Sequence, residues 1–232
     1  MPFPSVAGAA PSEQTATTMS HPVTLPPDIV SGNLLIIDFH ISQTTNDGNG
    51  PATPSGWTKF IISNGTANGG YDTEGQRSDL FYRVADGNEV SPLTITTGGN
   101  RRSTAVALRI INHNSLIAPQ ISAGAAAGSG QSNPASLTPS GGPKDFLWLA
   151  LGSAAITGIT QFDPPTNYTF IVGSFADDTV NQLTLGSRAL NATTEDPGTF
   201  THNSAAWHGF TIAVHPSLAV VNRKRLLMGL GK

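Results

Sequence analysis

The chain has 232 residues, no cysteine, and only 12% Asp, Glu, Lys and Arg, against about 25% in ordinary soluble domains. Lacking cysteine, it has no thiol nucleophile, cysteine-based zinc site or disulfide framework. Residues 1–222 carry eight basic and fifteen acidic groups, and Arg223, Lys224, Arg225 and Lys232 put four cations after them. An acidic body argues against nonspecific nucleic-acid binding. The longest apolar runs fall far short of a membrane span, and Met1 to Ser20 lacks the basic start and apolar core of a signal peptide. A soluble protein made without secretion is the expectation. Weak charge suits a protein held against neighbours, because interface cores are depleted of charge; it equally suits a Thr/Ser-rich monomer.

Residues 1–22, rich in Ala, Ser, Thr and Pro, read as an extended arm whose last part, near Val23 to Leu25, adds to a sheet edge. The first β half, 23–117, yields five strand candidates. Leu34 to Ile41 is nearly continuous in apolar residues, as for a strand buried on both faces. Trp57 to Ile62, Asp79 to Val84, the strictly alternating Leu93 to Thr96, and Ala105 to Ile111 follow. Asp86-Gly87-Asn88 and Gly98-Gly99-Asn100 read as turns. Asn46 to Pro54 and Asn64 to Gly75 are long Gly/Asn loops.

Residues 118–142 form a Gly/Ala/Ser/Pro-rich connection, a linker or a long crossover. The second half, 143–216, repeats the first. Phe146 to Leu151, Tyr168 to Val172, Gln182 to Leu190, Gly198 to Thr201 and Trp207 to Val214 are its strand candidates. Pro54-Ser55-Gly56-Trp57 returns as Pro165-Thr166-Asn167-Tyr168, and Arg83 aligns with Arg188. Residues 217–232 are a basic tail with a weak helical period from Leu218 to Leu230. The fold class is all-β: one two-sheet antiparallel β-sandwich, jelly-roll-like, built from two similar halves with extended terminal arms. Five strands with one apolar face need a partner sheet.

The chemical motifs are sparse. No Gly-x-Ser-x-Gly elbow and no phosphate-binding Gly-x-x-x-x-Gly-Lys-Ser/Thr loop occurs. Asp38 and His40 share one strand face and could ligate a metal, but no third ligand can be named, and a hydrogen-bonded histidine is the plainer reading. Asn46 to Gly50 lacks the alternating acids of a calcium loop. No catalytic, cofactor or metal residues are therefore assigned. Tyr71, a loop aromatic, is a candidate for sugar stacking or a partner contact. Arg101 and Arg102, the only basic pair in the body, and Arg223, Lys224 and Arg225 are candidate contacts to an acidic neighbour.

Pro-Ser-Gly-Trp-Thr at 54–58, Tyr-Arg-Val-Ala-Asp-Gly at 82–87, Pro-Thr-Asn-Tyr-Thr at 165–169 and Glu-Asp-Pro-Gly-Thr-Phe-Thr at 195–201 resemble a family of structural proteins from tailed phages and prophages. The likeness covers roughly residues 20–216. It implies a non-enzymatic virion protein, made in the host cytoplasm, most simply a capsid decoration or cement protein. The implied partners are the major capsid protein or other virion proteins and further copies of the chain, with no cofactor, nucleic acid or membrane. A carbohydrate-binding module on a surface glycan, or a tail or fibre component, is the alternative.

Overall fold

Alternation along the strands decides which side chains meet. In Leu34–Ser42 (β2), Leu34 and Ile36 point to one face and Leu35, Ile37, Phe39 and Ile41 to the other. Both sets are buried, so this strand needs cover on two sides. The computed structural model describes residues 2–42, 50–60, 71–73, 76–155, 162–175 and 182–218, and among them it contains strands but no helix.

The first sheet has the order β1-β6-β2-β5-β3, from Ser5–Val23 (β1), Leu93–Ile111 (β6), β2, Gln76–Val84 (β5) and Thr58–Lys59 (β3); Tyr71–Thr73 (β4) also pairs with β5. The second runs β10-β11-β9-β12-β7, from Thr169–Phe175 (β10), Gln182–Ala192 (β11), Lys144–Ala155 (β9), Ala206–Val214 (β12) and Gln120–Ile121 (β7), with Ala125–Ala127 (β8) also on β12. Every strand pairing is antiparallel. The chain completes one sheet before it begins the other, so each sequence half is one sheet.

Matching β2 with β9, β5 with β11, β6 with β12 and β3 with β10 gives both sheets the same order. The match extends to segments that composition had marked as an arm and a linker. Residues 5–23 form an edge strand on β6, and β7 and β8, inside the 118–142 connection, take the same place on β12. Both segments are poor in large apolar residues because an edge strand is held by its ladder. The sheets close on each other through Leu34, Ile36, Leu80 and Leu108 from one half and Leu149, Leu151, Leu185 and Phe210 from the other.

Each outer face has its own cover. Leu35, Ile37, Phe39 and Phe81 lie under Val23, Leu25, Trp57 and Ile95. Phe146 and Trp148 lie under Leu137, Tyr168 and Phe200. Part of the first cover is the β1–β6 ribbon itself, whose register shifts between Gln14 and Ser20. Thr24 N donates to Ser12 Oγ at 2.8 Å, although twelve extended residues would span about 40 Å. The ribbon therefore doubles back over the sheet. Gly98-Gly99-Asn100, expected as a turn, is inside β6 and has no positive φ. Gly198 to Thr201, expected as a strand, contributes only an isolated bridge from Thr201 to Asp163.

The sandwich has two unlike ends. β2 and β9 finish at one end, the tip, where strand ends also lead into residues 61–70, 74–75 and 176–181. At the opposite end, the base, Ser5 pairs with Ile111, and the chain passes Val214 and Pro216 to Leu218.

Candidate functional site

Near the tip the inner faces change from apolar to polar. Asp38 and His40 continue the inner face of β2, Ser78 lies opposite His40 on β5, and His208 projects from β12 of the other sheet. All four are at most 1% exposed. They form one chain: His40 Nε2 to Asp38 Oδ1 at 2.8 Å, His40 Nδ1 to Ser78 Oγ at 2.8 Å, and Ser78 Oγ to His208 Nδ1 at 2.5 Å.

Donor counting gives the chain a direction. A carboxylate only accepts, so His40 Nε2 carries the proton shared with Asp38. In a neutral imidazole His40 Nδ1 then accepts the Ser78 hydroxyl proton, and Ser78 Oγ accepts from His208 Nδ1–H. Burial, and secondarily the repulsion from His40 that two protonated rings would suffer, hold the His208 pKa well below its ordinary value, consistent with neutral imidazole. Serine, histidine and carboxylate follow the order of a nucleophile, base and orienting group. Here the hydroxyl is engaged on both sides and buried, and its effect is to tie one sheet to the other. Asp38 and His40 thus make the hydrogen-bonded alternative of the sequence reading, and the described residues hold no cluster of three or more His, Cys, Asp or Glu suited to a metal.

Duplicated polar pairs lie toward the base. Arg83 Nη2 meets Glu89 Oε1 at 3.2 Å, and Arg188 Nη1 meets Glu195 Oε1 at 2.8 Å. Glu89 also accepts from the backbone N–H of Asp86 and Gly87 at 2.8 and 3.0 Å. Glu195 instead accepts from Tyr168 Oη at 3.1 Å. Burial first, then the Glu195 charge, push the Tyr168 pKa far above its usual value. On the outer face of the first sheet, Asp79 is held by Arg77 at 2.7 Å and by Lys59.

The sequence-nominated contacts are not brought together. Tyr71 opens β4 opposite Ser78; its side chain lies outside the description. Arg101 and Arg102 are half-buried strand residues of β6, and Arg101 Nη1 donates to Asn100 O at 3.1 Å. They continue β6 beyond Gly98-Gly99-Asn100 and do not follow a turn. Arg223, Lys224, Arg225 and the weak helical period lie outside the described residues, as do most of the two Gly/Asn loops. Trp57, Trp148 and Trp207 are buried.

The sequence reading missed the base as a surface. Val30, Val84, Val90, Leu116, Ile117 and Leu218 are six of the eight large apolar side chains exposed among the described residues, and all belong to segments at this end. Hydrogen bonds join those segments: Gly32 N to Ala85 O at 2.9 Å, His113 Nε2 to Gly32 O at 2.8 Å, and Asn114 N to His215 O at 2.9 Å. A groove of about 280 Å³ opens there between Asn114, Ile117, Lys144, Asp145, Asn191 and Leu218. The only sequence signal was Val and Leu in connections rich in Pro, Gly, Asn, Asp and Ser. No family model, curated protein or solved structure matches the chain.

Proposed function

We propose that this chain is a structural protein of a tailed-phage virion, a decoration or cement protein carried on the head. The observation that carries this reading is the polarity of the sandwich. The strand at Ser5 and the exit at Leu218 share the base with most of the exposed apolar side chains, while the strand ends at the tip lead into the long segments. A body of this kind attaches by one end and presents the other. The phage-family resemblance and the low charge support the same reading.

The mechanism is mechanical. Area buried at the base, across junctions between copies of the major capsid protein, adds stability to the shell at about 25 cal/mol per Å² before the costs of association. Duplicated sheets, each covered on both faces, keep the attached body from deforming under load. The test is to strip tailed-phage heads of their accessory proteins and add back the purified chain. Saturable binding that raises the temperature of shell rupture is expected. Heads that take up none of it would sink the reading.

A further inference from the structure

We propose that the base of the sandwich is the docking surface for residues 219–232 of a second copy of this chain. Two chemistries on the base match two in that segment. The first is apolar: Val30, Val90, Leu116 and Leu218 are 57–82% exposed, and residues 219–232 supply Val220, Val221, Leu226, Leu227, Met228 and Leu230. Exposed apolar side chains grouped at one end of a soluble body mark an interaction surface.

The second is charge. Asp28, Asp86 and Asp196 at the base are exposed, whereas Arg83, Arg109, Lys144 and Arg188 are only partly so. Arg83 pairs with Asp86 at 3.0 Å and Glu89 at 3.2 Å, and Arg188 with Glu195. Asp28 and Asp196 remain as exposed acids in no ion pair among the described residues, so the exposed charge of this end is negative. The segment that leaves from it carries Arg223, Lys224, Arg225 and Lys232 and no acid. Attraction between such a segment and such a surface steers association and weakens with salt.

Reach favours another copy. The segment begins at Leu218, itself a wall of the groove, so lying in its own groove requires an immediate reversal. Fourteen extended residues span roughly 46 Å. That is comparable to the width of a compact chain of this length, with a radius of gyration of about 17 Å. A neighbour standing side by side is within range, and each copy can give one segment and receive one. The inference deepens the reading of the base as the attachment face, with adjacent copies also joined to one another there, and its test in free solution is separate from any test on phage heads.

The experiment uses the full chain. Its mass is followed by light scattering against concentration at about 0.05 and 0.5 M salt, Debye lengths of roughly 14 and 4 Å. Association that weakens at least tenfold at the higher salt is expected. The tail variant R223E/K224E/R225E and the base variant D28N/D86K/D196K should each weaken association at least tenfold. Mixing the two should restore it, because the reversed tail then meets the reversed base. L226D/L227D should weaken it at either salt. A chain monomeric at every concentration, including one whose tail folds onto its own base, would overturn the proposal. So would association that neither charge variant changes, or that mixing does not restore.

Discussion

At the scale of single residues, Ser78 bears the most on the join between the sheets. Its hydroxyl donates to His40 and accepts from His208, so removing one oxygen breaks two buried hydrogen bonds. A buried polar group left without a partner costs about 1–3 kcal/mol. Ser78→Ala should therefore lower the free energy of unfolding by at least about 2 kcal/mol in urea titrations. Thr138→Ala, which removes an exposed hydroxyl bonded to Thr194 at 2.8 Å, should change it by less than about 0.5 kcal/mol. Equal losses at the two positions would mean that the inner chain is not a tie. Half of this chain was legible in the sequence. Asp38 and His40 are two apart on one strand, which fixes their common face. Ser78 and His208 are reached only through β5 pairing and sheet stacking, across 130 residues in the second case, and no local pattern encodes that.

At the scale of elements, the clearest unit is the duplicated turn before the end strand of each sheet, β3 in the first and β10 in the second. Trp57 N donates to Pro54 O at 3.1 Å and Tyr168 N to Pro165 O at 3.0 Å. Gly56 has φ 76° and Asn167 φ 70°. Left-handed backbone costs most L-residues about 1–2 kcal/mol, and Gly and Asn least. Gly56→Ala should accordingly lower Tm by about 2–8 °C, with Arg83 Nη1 also 3.3 Å from the added Cβ. Asn167→Gly should leave Tm within about 2 °C, while Asn167→Val should lower it as Gly56→Ala does; scanning calorimetry on the three variants decides this. The repeat was readable here because both copies must solve the same backbone problem with the few residues able to do so. Elements held by long-range pairing were not. Gly98-Gly99-Asn100 has turn composition, yet β1 pairs on both sides of it and β6 continues through. Residues 5–23 and β7 and β8 carry no apolar period because their partners β6 and β12 hold them by the backbone.

At the scale of the whole molecule, buried imidazoles set the response to acid. His21 shows the logic. It is fully buried in the doubled β1–β6 ribbon, with Nδ1 2.8 Å from Ser103 Oγ and Nε2 3.0 Å from Thr97 Oγ1. Thr97 gives its own proton to Gly99 O, so Nε2–H of His21 must donate to Thr97 and Nδ1 accepts from Ser103. Burial disfavours a second proton and lowers the His21 pKa to about 4, against a smaller opposing effect of a hydrogen bond to the Thr18 backbone. Burial likewise lowers the values of His202, His208 and His215. Above about pH 7.5 these groups are almost entirely neutral in both folded and unfolded chains and stability hardly depends on them. Below it the unfolded chain takes up protons that the folded chain refuses, so stability falls, for His21 until about pH 4. Each fully refused proton contributes about 1.4 kcal/mol per pH unit. Urea midpoints should therefore stay level from about pH 8.5 to 7.5 and fall with increasing slope from about pH 7 to 5, mostly above the range where carboxylates titrate. His21→Gln, which can still bond both hydroxyls and cannot titrate, should make that drop shallower. A midpoint that stays level to pH 5, or a variant whose slope equals the parent's, would show that the ribbon does not hold His21 neutral.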